Sequence, residues 1–598
     1  MEPQYVIGID LGTTNSSLSY SRIESGSGSS PSPPVELLPI PQLANPGEVR
    51  EPNLLPSFLY IPGTSDFPSG SLALPWDADP SEVVGQLAQK RGVENAGRLV
   101  SSAKSWLSHA GVDRTAPLLP FRAPEGVPRI SPVEASRRYL EHLRSGWNHR
   151  FPDAPMEQQH LLVTVPASFD EVARELTATA AEQAGYRNVT LLEEPQAAFY
   201  AWIERHPDWR DRVQLGDLIL VVDIGGGTTD FTLIAVKEHA GELALERIAV
   251  GEHILLGGDN MDLALARTIE AELAGKSVKL DALQLHALWH NCRVAKEKLL
   301  DPAAKSQKEP VTILGKGTGL VGGTIKASLT REHIHTVLEE GFFPSTGSTE
   351  MPQAKRRTAV QEIGLPYAAD PAVTRHLARF LRRGGGEFLG PTHVLFNGGV
   401  LNADLVRDRI LSVLNRWLEE EGKPAIQALT GEDLMHAVSR GAVYYGSARR
   451  GRGVRIRGGV PRTYYVGIES AMPAIPGMPA PLKALTVVPF GLEEGSEVGI
   501  PGQEFGLVVG EPAEFRFFSS TTRRDDAPGE LLEEIDDRLE EITPMEVNLK
   551  SAEDKEGGVV PVAFQAKVTE TGVLQLWCVA RDGRRWKLEF NVRERVTQ

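Results

Sequence analysis

Residues 221–230 read VVDIGGGTTD. An apolar strand ends in Asp223, passes through three glycines, and resumes with Thr228, Thr229 and Asp230. Glycine ends strands because it accepts backbone conformations that strain any residue with a Cβ. One such turn therefore fits an ordinary hairpin as well as a cradle for phosphate. The N-terminus supplies a second copy. Ile9-Asp10-Leu11-Gly12-Thr13-Thr14-Asn15 follows the same grammar: apolar strand, Asp, glycine, Thr-Thr pair, second strand. Two matched turns far apart in the chain imply a duplicated α/β lobe, with the turns facing each other across a cleft. A solenoid of short repeats is not implied.

The chemistry of the pair points to nucleotide phosphate. Phosphate oxygens need converging backbone N–H groups, and glycine lets the chain approach closely. Threonine hydroxyls add donors. An Asp at each strand end can hold Mg²⁺ through water, because that ion prefers oxygen ligands and dehydrates reluctantly. No Walker A motif is present, so that cradle is excluded.

Composition agrees with a large globular protein. The 598 residues allow about four domain-sized units, with 41% hydrophobic and 24% charged residues. A net charge of −16 argues against indiscriminate binding of nucleic acid or anionic membrane. Two cysteines, Cys292 and Cys578, are too few for a disulfide framework or a zinc cluster. MEPQYVIGID carries no basic and apolar leader pattern, and no apolar run approaches the roughly 20 residues needed to span a bilayer. The chain reads as cytoplasmic.

Strands and helices alternate through the first three quarters, as in a covered sheet. The expected strands are 5–20 (two, with the turn between), 161–166, VTLLEE before Pro195, 218–224 and 393–399. The expected helices are 170–184, QAAFYAW, 262–301, 330–342, 371–383, 404–420 and 432–446. Residues 21–56 are Ser/Pro/Gly-rich and read as a surface excursion. SARRGRGVRIRGGVPR (447–462) holds six arginines and no acid and reads as a linker. Beyond it the chain is strand-like. Asp582-Gly583 predicts a two-residue hairpin turn, and the spacing of Leu531, Ile535, Leu539 and Ile542 predicts one short helix.

The motifs resemble the actin-type ATPase superfamily and, within it, the 70-kDa heat-shock chaperone family. GIDLGTTNSS and DIGGGTTD are close to that family's two phosphate motifs, with Thr229 where an aromatic is usual. VTVPASFDEVAR (163–174), LLEEPQAAFYAW (191–202), LLGGDNMD (255–262), VAKEKLL (294–300) and LFNGGV (395–400) follow in order. The resemblance covers roughly 1–448 and thins afterwards. It implies an α/β actin-like ATPase of two duplicated, ribonuclease H-like lobes (1–215 with 430–448, and 216–429). A linker at 449–462 and an all-β sandwich at 463–598 would follow.

Carried over residue by residue, the resemblance implies a catalytic set of Lys104, Glu194, Asp223 and Thr228, with Asp10 and Asp223 positioning Mg²⁺ through water. Gly12, Thr13, Thr14, Asn15, Gly225, Gly226, Gly227, Thr228 and Thr229 would cradle phosphates. Gly257, Gly258, Gly398 and Gly399 would approach ribose and phosphate, and Lys296 the nucleoside. Arg293, Leu300 and Asn402 depart from the family pattern, which puts base selectivity in question. Pro166 and Arg174 fall where the family couples nucleotide state to substrate. The arginine-rich junction replaces an apolar linker and is expected to be a solvated hinge, with an acidic-surface clamp or an RNA contact as alternatives. Only six residues follow Val592, so no helical lid is expected.

The implied function is a slow, Mg²⁺-dependent ATP hydrolase coupling nucleotide state to binding of unfolded or partly folded polypeptide. A nucleotide-exchange factor and a J-domain co-chaperone are its candidate partners. An ATP-holding adaptor without hydrolysis and a small-molecule kinase stay open as alternatives.

Overall fold

The strand Tyr5–Leu11 buries Val6, Ile7, Ile9 and Leu11 on both of its faces, as a central strand covered by helices must. It pairs antiparallel with Asn15–Arg22 and parallel with His160–Val165, which pairs parallel with Thr190–Glu193. Glu36–Leu37 completes one edge. In this computed structural model the chain is described apart from residues 1, 24–33, 110, 188, 240–241, 316–323, 355–363, 383–385, 432, 451–453, 455, 457–459, 461, 470–481, 494, 501–503, 510–512, 537, 548–557, 570–573 and 591–598.

A second sheet repeats the order. Leu218–Ile224 pairs antiparallel with Thr229–His239 and parallel with His393–Asn397, which pairs parallel with Gln427–Leu429. Glu242–Val250 takes the outer place beside Thr229–His239. Asp10 and Asp223 occupy the same position, one residue before the end of each central strand. Their cross-strand partners are Ser17 and Asp230.

Helices cover both sheets. Asp170 caps Glu171–Gln183 by accepting from Ala173 N–H at 2.7 Å, and Gly185 at φ 88° ends it. The helix Ala437–Arg449 returns to the first sheet and packs at small residues. A Cβ on Gly441 or Gly8 would strike the carbonyls of Ala197 and Ser439. Ser439 also exchanges hydrogen bonds with buried Ser17 and Ser19 at 2.9 and 2.8 Å.

The C-terminal part is a ten-stranded antiparallel sheet. Its two halves share one core: Val466, Leu485 and Phe517 meet Val562, Phe564, Leu576 and Leu588. That core is continuous with Phe169, Val172 and Leu176 of the first lobe. Tyr464 Oη donates to Glu171 there, at 2.7 Å and buried.

Three expectations fail in this region. The described residues of 530–542 form no helix. Leu531–Leu532 pairs with Ala484 and Leu485, and Glu540–Val547 joins the sheet. Of the apolar residues at helical spacing, Ile535 and Leu539 reach the patch around Tyr465 and Phe518, while Leu531 and Ile542 pack against the main core of the sheet, so sheet pairing overrides local propensity. The hairpin at Asp582-Gly583 has three loop residues, because Ala580 N–H bonds to Arg584 carbonyl at 2.9 Å and Gly583 takes φ 88°.

The junction differs as well. The helix before it runs to Arg449. Val454 and Ile456 pack onto the first lobe with Tyr200 and Tyr445, and Ile456 N–H donates to Tyr200 Oη at 2.7 Å. Val460 N–H donates to Leu492 carbonyl at 2.9 Å, and the remaining residues of 451–461 lie outside the described set.

Candidate functional site

The two turns meet. A Cβ on Gly226 would collide with Thr14 Oγ1, and one on Gly227 would lie 2.7 Å from Ser105 Oγ and 2.9 Å from Thr13 Cγ2. The Gly257-Gly258 segment closes the third side: Gly258 N–H donates to Gly225 carbonyl at 3.0 Å and Asp259 N–H to Gly226 carbonyl at 2.7 Å. Gly398 adds the fourth. Its φ of +91° is open to glycine, and a Cβ there would press on Ile224 carbonyl and Asp223 Oδ1.

These walls enclose a cavity of about 620 Å³. Of the residues singled out from sequence, Asp10, Gly12, Thr13, Thr14, Asn15, Lys104, Glu194, Asp223, Gly225, Gly226, Thr228, Gly258, Lys296, Gly398 and Gly399 line it. Gly227, Thr229 and Gly257 do not. Gly257 packs on the backbone of Gly225 and Gly226, and Gly227 against Thr13 and Ser105. The Thr229 hydroxyl is buried and donates to Leu256 carbonyl at 2.7 Å, which turns it away from the cavity.

Lys104, at 8% exposure, pairs with Glu194. Burial works against its ammonium, but Glu194, Asp10 and Asp223 outweigh this and hold its pKa above the ordinary value. The carboxylates show the complementary effect. Burial, then Glu194, pushes Asp10 up to about 7 against the pull of Lys104. Burial and Glu194 also raise Asp223 well above the usual range, and its nearest polar partner is the neutral Asn397 amide at 2.8 Å. Burial takes Asp230 up to about 7.

This carboxylate-rich pocket has one lysine at its centre. Such a donor set suits a hard divalent cation shared with phosphate oxygens. Among the described residues no three His, Cys, Asp or Glu side chains are grouped to hold an ion directly. Thr14 Oγ1 is buried without a hydrogen-bond partner, a donor available to an anion.

Sequence reasoning missed the groups that support these residues. Glu193 takes Arg174 at 2.8 Å and Arg247 of the second lobe. Ser168 joins Asp230 and lies 2.6 Å from His253 Nδ1, whose Nε2 meets Ser108 at 3.0 Å. Arg293 joins Asp259 and Asp262. Arg174 and Arg293 are among the residues named from sequence, but the ion pairs they make are not.

Two α/β lobes of one topology, each giving a glycine-threonine turn to a shared cleft, define an actin-like fold with a β-rich C-terminal part. Residues 77–348 match the Hsp70 protein family. The chain is similar to a chaperone protein HscA homolog of Azotobacter vinelandii strain DJ, at 29% identity over 416 residues, 67% of this chain and 57% of that protein. A homolog of Pseudomonas aeruginosa PAO1 is 31% identical over 315 residues, 51% of this chain and 43% of that one. The chain thus spans about half the length of the curated relatives it matches. These matches bear out the resemblance to the 70-kDa heat-shock chaperone family carried by the motifs. No described helix is long and apolar enough to cross a membrane.

Proposed function

We propose that this chain is a Mg²⁺-dependent ATP hydrolase of the heat-shock chaperone type, coupling nucleotide state to polypeptide binding. In this reading residues 1–448 form the nucleotide-binding unit and 463–598 the polypeptide-binding one. The observation that carries it is the meeting of the two turns around a cavity that also holds Lys104 against Glu194.

Thr13, Thr14 and Thr228 would donate to the β- and γ-phosphates alongside the glycine N–H groups. Lys104, held in place by Glu194, would position the attacking water and offset charge on the transferring phosphoryl group. Positioning and electrostatics are most of what this reaction asks of a protein. Asp10 and Asp223 would hold the hydrated Mg²⁺, which supplies charge neutralisation across the phosphates. Water attacks directly, so no side chain is needed as a covalent nucleophile.

Coupling would pass through the docked face. Tyr464 on the C-terminal sheet touches Glu171. On the same helix, Arg174 reaches Glu193, the neighbour in sequence of Glu194. The test is the affinity of the full chain for a fluorescent unfolded peptide, with and without MgATP. A change of about tenfold or more, equivalent to roughly 1.4 kcal/mol, is expected; identical affinities would leave the two parts uncoupled. A J-domain protein and a nucleotide-exchange factor are the partners this function would use.

A further inference from the structure

The phosphate turns account for one end of the cavity only. The helix Ala282–Leu300 runs along the other. Arg293, Lys296 and Leu300 stand three and seven residues apart on one of its faces and all line the cavity. Seven residues of helix cover about 10 Å, the distance from a nucleotide's sugar to the far edge of its base. Resting on the nucleotide reading above, we propose that this site recognises its nucleoside triphosphate through phosphates and ribose and is indifferent to the base, accepting ATP and GTP alike.

Arg293 marks the sugar position. Asp259 is bonded through its N–H to the phosphate turn at Gly226, and its carboxylate pairs with Arg293 Nη2. Arg293 Nε meets Asp262 at 2.8 Å and Lys296 Nζ meets the same carboxylate at 2.7 Å. Two cations are thus matched by two acids, which leaves no excess charge for a further phosphate. Spare donors remain. Arg293 is 92% buried and its Nη1 makes no hydrogen bond, while an ammonium has three N–H groups. Neutral acceptors, the ribose hydroxyls, are the complement to such donors.

Beyond them the wall turns apolar, with Leu300, Pro302, Leu338, Val406 and Met435. These side chains can hold a heteroaromatic ring by contact and desolvation but cannot read its edge. Asn402 has its amide N–H groups turned to Gly399 carbonyl at 3.3 Å and Met435 Sδ at 3.2 Å. Glu297 and Asp301 stand at the rim; as carboxylates they accept from the amino group of either purine. An apolar pocket discriminates weakly between isosteric rings, whereas buried donors left unpaired discriminate strongly.

Equilibrium binding of ATP, GTP and 2′,3′-dideoxy-ATP to the full chain in Mg²⁺ tests this. ATP and GTP are expected to bind within about threefold of each other, and the dideoxy sugar to cost about tenfold or more. Arg293→Gln should bring the sugar effect below about threefold while leaving the ATP to GTP ratio unchanged. Should that variant fail to fold, Lys296→Gln reads the same ratio. ATP preferred over GTP by more than about threefold, or dideoxy-ATP binding as well as ATP, overturns the inference and leaves the ATPase reading standing. Binding of no triphosphate at all overturns both.

Discussion

The two turns are copies in topology and differ in what surrounds their aspartates. Asp10 of the first lobe shares its burial with Lys104, and Thr164 Oγ1 lies 3.5 Å away. Asp223 of the second has a neutral amide, Asn397, and no lysine or arginine of its own lobe paired to it among the described residues. The scaffold is the same on both sides, and the buried cation, Lys104, stands beside Asp10. The Asp223 side is therefore where a bound cation changes most. A buried carboxylate held against a neutral partner is costly when ionised.

The largest test of that asymmetry is Asp223→Asn. Hydrolysis at saturating ATP should fall about 100-fold, while the thermal midpoint of the nucleotide-free protein rises, because a costly buried charge is removed. A fall in both quantities would mean that Asp223 is structural. Next is the contact between the turns. Gly226→Ala should weaken ATP binding about tenfold or more by pushing Thr14 away. Gly225→Ala, whose Cβ would meet nothing nearer than Thr228 carbonyl at 3.9 Å, should stay within about threefold. Equal losses in calorimetric titration would break the picture of facing turns.

A smaller effect concerns pH. Asp230 has its pKa raised to about 7 by burial, so its protonated form is favoured by folding. Its contribution is full below the unfolded value near 4 and is lost as pH rises through about 7. Asp230→Asn should then gain on the wild type in thermal midpoint between pH 5 and pH 8. A constant gap would show that Asp230 ionises freely.

The smallest effects belong to the docked sheet. Tyr464→Phe removes one of the donors to buried Glu171 and should cost about 1–3 kcal/mol in urea unfolding. Lys587→Ala breaks a partly exposed pair with Glu175 at 3.5 Å and should cost under about 0.5 kcal/mol. The reverse order would argue that the sheet is held by surface charge.

What could be read from residues alone follows the same division. The turns and central strands of both lobes are legible because each rests on local pattern, an apolar run and a glycine turn, as is the helix capped by Asp170; the helix Pro132–Arg150 is not among those expected, and the stretch 262–301 divides into Gly258–Gly275 and Ala282–Leu300. LILVVDI was placed at 218–224, where the strand lies. The C-terminal sheet was less legible. The helical spacing from Leu531 to Ile542 mimicked a helix, while the strand partners that decide the matter lie elsewhere in the chain. The junction misled for a related reason: six arginines hid the alternating Val454 and Ile456, whose burial depends on Tyr200 and Tyr445. In the site, the residues forming the turns could be named, but Asn397 beside Asp223 and the acid pair holding Arg293 could not. Pairing between side chains separated in the chain leaves no trace in local sequence.

The claim at the centre is that the two turns, with Lys104, make one hydrolytic phosphate clamp. Single-turnover conversion of bound ATP to ADP and phosphate by the full chain in Mg²⁺, compared with Lys104→Ala, tests it directly. A rate above the buffer background that falls about 100-fold or more in the variant, with ATP still bound, is the expected result. No hydrolysis above background, or an unchanged rate in Lys104→Ala, would contradict it.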